Sequence, residues 1–220
     1  MSGVVLSWSG GKDSALALWA LREEQGVEPT ALLTTFTEDY GRVSMHAVRR
    51  ELLEAQAAAV GVPLVEVGIP AVCSNEVYEE RMAAALAAPP LAGVEEVAFA
   101  DLFLADIRAY REECLAAIGR RASFPVWGRE TAALAARFID AGFEATLVCV
   151  DPRQIDASFC GRAFDAELLR DLPAGADPCG ENGEFHTFVT AGPIFSAPVA
   201  TRHGETVERD GFVFHDLLPV

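Results

Sequence analysis

The stretch VVLSWSGGKDSALALW, residues 4 to 19, constrains this chain more than any other. An apolar run enters it, a Ser-Gly-Gly-Lys-Asp-Ser turn follows, and a Leu- and Ala-rich run leaves it. Strand, tight turn and helix in that order make the first half of a βα unit. Gly10 and Gly11 let the backbone turn sharply and approach a ligand closely, since no Cβ intervenes. The helix expected from Ser14 points its free N–H groups and positive dipole end at the same spot. Ser9 and Ser14 add hydroxyls and Lys12 adds charge, so the turn makes an anion cradle of nucleotide size. The plainer alternative is a strand-to-helix turn capped by Asp13 or Ser14. Lys12 is also the only lysine among 17 Lys and Arg residues. Its compact ammonium suits a phosphate oxygen in a tight loop better than a planar guanidinium does.

Strand and helix signals keep alternating downstream. Val4–Trp8, Thr30–Phe36, Leu64–Ile69 and Glu96–Ala100 read as buried strands. Ser14–Glu24, Met45–Val60, Asn75–Ala88 and Ala105–Arg120 read as helices. Such alternation predicts a parallel sheet covered on both faces, with ligands at the carboxyl edge of the strands. After about Pro125 the character changes. A helix over Glu130–Ala141 and a strand over Ala145–Val150 are followed by short β-like pieces at Phe185–Thr190, Val199–Thr201 and Gly211–Leu217. The expected organisation is a nucleotide-binding half over residues 1–125 and a smaller C-terminal half over 126–220.

Composition narrows the partners. With 33 Asp and Glu against 17 Lys and Arg the net charge is −16. So acidic a surface repels phosphate backbones and makes nucleic acid an unfavoured partner. Five cysteines without a CxxC pair fit reduced thiols in a cytoplasmic protein. No long apolar stretch predicts a membrane span, and the first residues do not read as a signal peptide.

The turn is not a Walker loop, which needs four residues between its glycines. Its S-G-G-x-D-S pattern resembles the PP-loop of the N-type ATP pyrophosphatases. Further segments, LLTTFTEDYGRVSMHAVRRE, VAFADLFLADIRAYREE, FPVWGRETAAL and DPCGENGEFHTF, resemble the diphthine–ammonia ligase-related branch. The resemblance covers the chain from Val5 to about Phe195. It implies a Rossmann-like five-stranded parallel sheet of the adenine nucleotide alpha hydrolase type, with a small C-terminal α/β domain. It implies attack on the α-phosphorus of ATP, releasing pyrophosphate, and an ATP-dependent amide ligase of diphthamide biosynthesis. Such a ligase adenylates an acceptor carboxylate, in the founding case a protein side chain, and ammonia then displaces AMP. A homo-oligomer is expected.

Carried over residue by residue, Ser9, Gly10, Gly11, Lys12, Asp13 and Ser14 hold the pyrophosphate. Thr34, Thr35 and Phe36 lie against adenine and ribose. Glu181, Asn182, Glu184 and His186 face the acceptor, ammonia or metal. Glu181 and Glu184 in a Gly-rich turn suit Mg²⁺ or an ammonium losing its proton, and Asp13 with Glu184 is the expected metal pair. On an extended strand His186 shares a face with Glu184, as an acid–base pair would; a solvated turn is the alternative. His46 either contacts phosphate or caps a helix. Asp101 either serves the carboxyl edge or caps the next helix. Arg108, Arg111 and Glu112 read as a solvated helix face, and Trp127 and Arg129 either meet the acceptor or pack a domain junction.

Two departures from the family pattern matter. Ala100 replaces a frequent Gly, and His186 stands where relatives acting on diphthine carry a carboxylate. The acceptor expected here is therefore an unassigned carboxylate. Two other readings stay open: a PP-loop enzyme modifying tRNA, and a sensor that binds ATP or AMP without turnover.

Overall fold

The computed structural model describes residues 3–38, 42–43 and 48–220. Five parallel strands, β1 (Gly3–Ser7), β2 (Ala31–Thr37), β4 (Leu64–Ile69), β5 (Val94–Ala98) and β6 (Arg121–Ser123), lie in the order β4-β2-β1-β5-β6. A two-residue strand, β3 (Arg42–Val43), adds antiparallel to the carboxyl end of β2. The helices are α1 (Lys12–Glu23), α2 (Arg50–Val60), α3 (Asn75–Ala87), α4 (Ala105–Ala117), α5 (Thr131–Asp140) and α6 (Ala166–Asp171).

Alternating side chains of the central strands feed two cores, because neighbours along a strand point to opposite faces. Leu6, Leu32 and Ala98 pack under α1, α2 and α5. Val5, Leu33 and Val97 pack with Leu86 of α3 and Leu115 of α4. This is the layered α/β domain expected from the alternation.

β7 (Glu144–Val150), β8 (Phe185–Ala191), β9 (Thr201–Arg209) and β10 (Phe212–Pro219) form a second sheet, antiparallel, in the order β8-β7-β10-β9. Its inner face joins the α1–α2–α5 core through Phe143, Phe164, Phe185 and Phe188, so one hydrophobic core runs through both sheets. Phe138 of α5 stacks on Phe143 at 4.8 Å between centroids and meets Phe164 edge-on at 5.4 Å.

Several boundaries differ from the sequence reading, each for a physical reason. Val199–Thr201 is not a separate strand; a nine-residue strand starts at Thr201. Almost all of β9 is exposed at a sheet edge, so it carries no alternating apolar pattern. Asp210 (φ 52°) and Gly211 (φ 79°) make its hairpin turn, as Asp-Gly suits. The second helix runs from Arg50, because Arg49 is extended and its guanidinium reaches Asp216 of β10, 2.6 Å from Nη2; the expected start at Met45 falls outside the described residues. Gly119, at φ 72°, closes α4 before Arg120 and frees Arg121–Ser123 to pair with β5.

Candidate functional site

The Ser-Gly-Gly-Lys-Asp-Ser turn lies at the carboxyl end of β1, and α1 starts inside it at Lys12 without a side-chain cap. Asp13 and Ser14 therefore do not cap this helix. Ser14 Oγ donates to Gly11 O at 2.8 Å, and Ser9 Oγ lies 3.3 Å from both Ser14 Oγ and the Gly11 N–H that donates to it. The backbone N–H of Lys12 donates to Thr187 Oγ1 of β8 at 3.0 Å, tying the turn to the second sheet.

Gly10 has φ 78°, and a Cβ there would sit 2.6 Å from Gln56 Oε1. Gln56 of α2 is fully buried. It accepts from Trp8 Nε1 at 3.0 Å and donates to Gly10 O at 3.0 Å and Val189 O at 2.6 Å. The first glycine is thus required by the protein's own packing, not by the ligand side of the turn.

Lys12 is 2% exposed. Its ammonium donates to both oxygens of Asp13, at 3.0 and 2.8 Å, and to Cys179 O, between the rings of Phe164 and Phe185. Burial, the largest single effect, works against the charge, but Asp13 together with Cys179 and Glu181 outweighs it and holds the pKa above its ordinary value. Burial likewise pushes the Asp13 carboxyl above its ordinary range, against the pull of Lys12.

A cavity of about 270 Å³ opens beside the turn. Ser9, Gly11, Lys12, Asp13 and Ser14 form one wall, Asp101 a second, and Glu181 and His186 a third. Glu181 Oε1 accepts from Leu102 N at 2.7 Å. Burial, then the charges of Asp13 and Asp101, push its carboxyl up to about 7 in spite of that bond. Burial and the nearby Lys12 lower His186 to about 4, so its imidazole is neutral at pH 7.

Glu184 does not share this wall. It is buried, and it accepts from Asp177 N at 2.8 Å, Asn182 N at 3.0 Å and Asn182 Nδ2 at 3.1 Å. Asp177 Oδ1 in turn accepts from Cys179 N and Glu181 N, and its Oδ2 accepts from Thr131 Oγ1 at 2.6 Å. Two carboxylates thus shape the turn that presents Glu181 and His186. The expected pairing of Glu184 with His186, or with Asp13 over a metal, is not what the geometry brings together.

A second cavity, about 540 Å³, adjoins the first through Ser7, Ser9 and Arg111, and Thr34 and Thr35 line it. Thr34 Oγ1 is buried and has no hydrogen-bond partner among the described residues, which suits a ligand hydroxyl or ring nitrogen. Phe36 lies off this wall, with the Arg50 guanidinium 5.3 Å from its ring centre. His46 falls outside the described residues.

Asp101 is no helix cap; Leu104 holds that position without a side-chain bond. Asp101 instead binds Arg111, whose Nη2 donates to Oδ1 at 3.2 Å. Arg111 therefore leaves the solvated face expected of it, while Arg108 and Glu112 pair there at 2.8 Å. Arg129 serves the junction, pairing with Glu24 at the end of α1, and Trp127 packs edge-on against Phe124 at 5.7 Å. All five cysteines are free, and burial pushes Cys149 and Cys179 up to about 12.

Gln56, Thr187 and Asp177 are not among the residues that the sequence singles out, and Arg111 reads there as part of a solvated helix face. Only Asp177 carried a local signal, as an Asp opening a Gly-rich turn. Gln56 and Arg111 reach the site from helices distant in sequence, and Thr187 is placed by its pairing with the backbone of Lys12.

A parallel sheet with an anion turn on its first strand, facing a carboxylate-bearing loop, defines a nucleotide-binding α/β protein of the PP-loop type. The model of the diphthamide synthase N-terminal domain matches residues 1–121, and that of the C-terminal domain residues 130–213. The chain belongs to the diphthamide synthase family, within the PP-loop ATP pyrophosphatases. It is also similar to argininosuccinate synthases from two Synechococcus strains. One is 27% identical over 236 residues, covering 94% of this chain and 57% of the relative. Another is 30% identical over 201 residues, covering 80% and 48%. The chain spans about half the length of these curated relatives. No helix among the described residues is long and apolar enough to cross a membrane.

Proposed function

We propose that this chain is an ATP-dependent ligase that adenylates an acceptor carboxylate and lets ammonia displace AMP, in the manner of diphthine–ammonia ligases. Adenosine occupies the larger cavity beside Thr34 and Thr35, and the β- and γ-phosphates lie along Ser9–Ser14. A carboxylate oxygen of the acceptor attacks the α-phosphorus, and the electron pair of the α–β bridge leaves with pyrophosphate. Ammonia then adds to the acyl carbon, the nitrogen loses a proton, and the acyl C–O pair departs with AMP.

The observation that carries this reading is Glu181. A half-buried carboxyl with its pKa near 7, on the cavity shared with the phosphate turn, is poised to take that proton at neutral pH. His186 stays neutral beside it and offers a hydrogen bond instead of a charge. Among the described residues no group of three His, Cys, Asp or Glu side chains is arranged to hold a metal. Asp13 and Asp101 nevertheless line the phosphate cavity, and these carboxylates fit a Mg²⁺ carried in on the nucleotide. Bound there, the cation would neutralise phosphate charge. Ammonia, a carboxylate acceptor, self-association and the division near residue 125 belong to the same reading.

³¹P NMR of purified protein with ATP, Mg²⁺ and ammonium, with cell extract supplying acceptor, tests it. AMP and pyrophosphate that depend on extract are the expected products. ADP and phosphate would rule the reading out.

A further inference from the structure

Arg111 stands where three cavities meet. It lines the 270 Å³ phosphate cavity, the 540 Å³ nucleoside cavity, and a 350 Å³ apolar cavity between α3 and α4. Among the described residues it is the one Lys or Arg on the walls of both nucleotide cavities. The ammonium of Lys12, the other cation of the phosphate cavity, is committed to Asp13 and Cys179 O. That cavity also carries three carboxylates, Asp13, Asp101 and Glu181, so an incoming polyphosphate meets more negative than positive charge.

The Arg111 side chain is 26% exposed and rests on Phe99, 4.3 Å from the ring centre. Its Nε lies 2.7 Å from Asp101 Oδ2, yet neither atom makes an aligned hydrogen bond. A guanidinium has five N–H donors in a planar fork; Asp101 takes one through Nη2 and Tyr78 also lies within hydrogen-bonding reach, so the two partners leave the fork incompletely matched.

The position supplies the role. A nucleotide running from the larger cavity into the smaller passes the shared wall of Ser7, Ser9 and Arg111, and the group that joins nucleoside to the outer phosphates is the α-phosphate. We propose that Arg111 is a catalytic guanidinium: on nucleotide binding it turns from Asp101 to the α-phosphate and donates hydrogen bonds to its non-bridging oxygens. It transfers no proton. The acceptor oxygen supplies the electron pair of the new P–O bond, the pair of the α–β bridge leaves with pyrophosphate, and Arg111 stabilises the charge that gathers between them. This rests on the adenylation reading above.

The test compares wild type, Arg111→Ala and Arg111→Lys for AMP release, with thermal unfolding measured alongside. Loss of an oriented donor to the transition state predicts a fall in kcat of about 10²–10³-fold in Arg111→Ala. KM for ATP should move far less, and millimolar guanidinium ion should restore part of the rate. Arg111→Lys keeps the stem and charge, so a similar fall at unchanged Tm shows that the fork is needed. Arg111→Ala turning over within threefold of wild type would overturn the proposal, as would a lost rate that tracks lost folding in both variants without rescue. Wild type releasing ADP defeats the ligase reading itself; wild type releasing AMP with an unimpaired Arg111→Ala defeats only the role of Arg111.

Discussion

The bonds that Lys12 makes to Asp13 and Cys179 O give it the place of a structural prop. Replacing it with Met leaves Asp13 and Cys179 O without their donor in a buried site, which should cost about 3–5 kcal/mol. Urea denaturation of Lys12→Met would read that loss, and a stability equal to wild type would refute the prop. Glu181 acts at a different level. With its pKa near 7, the carboxyl loses its ability to accept a proton as pH falls through 7. The amide-forming rate should then fall on that acid side. Glu181→Gln should abolish this limb and lower kcat about 10²–10⁴-fold, as a pH–rate profile with saturating acceptor would show.

At the scale of elements, one helix and one loop aim the site. Gln56 holds α2, the turn at Gly10 and β8 together through three bonds. Gln56→Leu should destabilise the fold by about 1–3 kcal/mol, since Trp8 Nε1 and two carbonyls lose partners in the core. Because the same bonds fix the phosphate turn, KM for ATP should rise with it; isothermal titration with a non-hydrolysable ATP analogue separates the two effects. Asp177→Ala removes the acceptor for Cys179 N and Glu181 N. It should spread Glu181 over several positions, and a Glu181 pKa followed by NMR should drift back towards 4.5.

At the scale of the molecule, acid should loosen the joint between the two sheets. His186 has a folded pKa near 4 against an ordinary 6.5, so below 6.5 the unfolded chain binds a proton that the folded one refuses. Stability is full above 6.5 and is lost as pH falls towards 4. Glu24, held near 2 by Arg129 and Arg137, acts in the same direction from 4.5 downward and links α1 to α5. Glu181→Gln removes an opposing contribution over the same pH range. In that background guanidine denaturation midpoints should therefore drop from neutral pH to pH 4, and adding His186→Phe should flatten the part between 6.5 and 4. A midpoint that stays level in that background would show that neither group is coupled to folding. Glu181 runs the other way, with stability present below its ordinary 4.5 and lost as pH rises through 7, so its Gln variant should be steadier in alkali.

The linear chain by itself determined the βα rhythm, the anion turn and its place on the sheet edge, because apolar period and glycine chemistry act over a few residues. The family-like GENGEFHT segment likewise carried Glu181 and His186 to the site. Short-range pattern is silent on β9, whose edge position leaves it polar, and on Arg111, which looks like its solvated neighbour Arg108 until Asp101 and Phe99 are folded against it. Only the tertiary structure decided that Glu184 shapes the turn while Glu181 faces the cavity. It alone raised Glu181 towards 7 and chose Gln56 to hold Gly10. Those outcomes depend on burial and, for Glu181 and Gln56, on partners tens of residues away, and such energies exist only once the two sheets share a core.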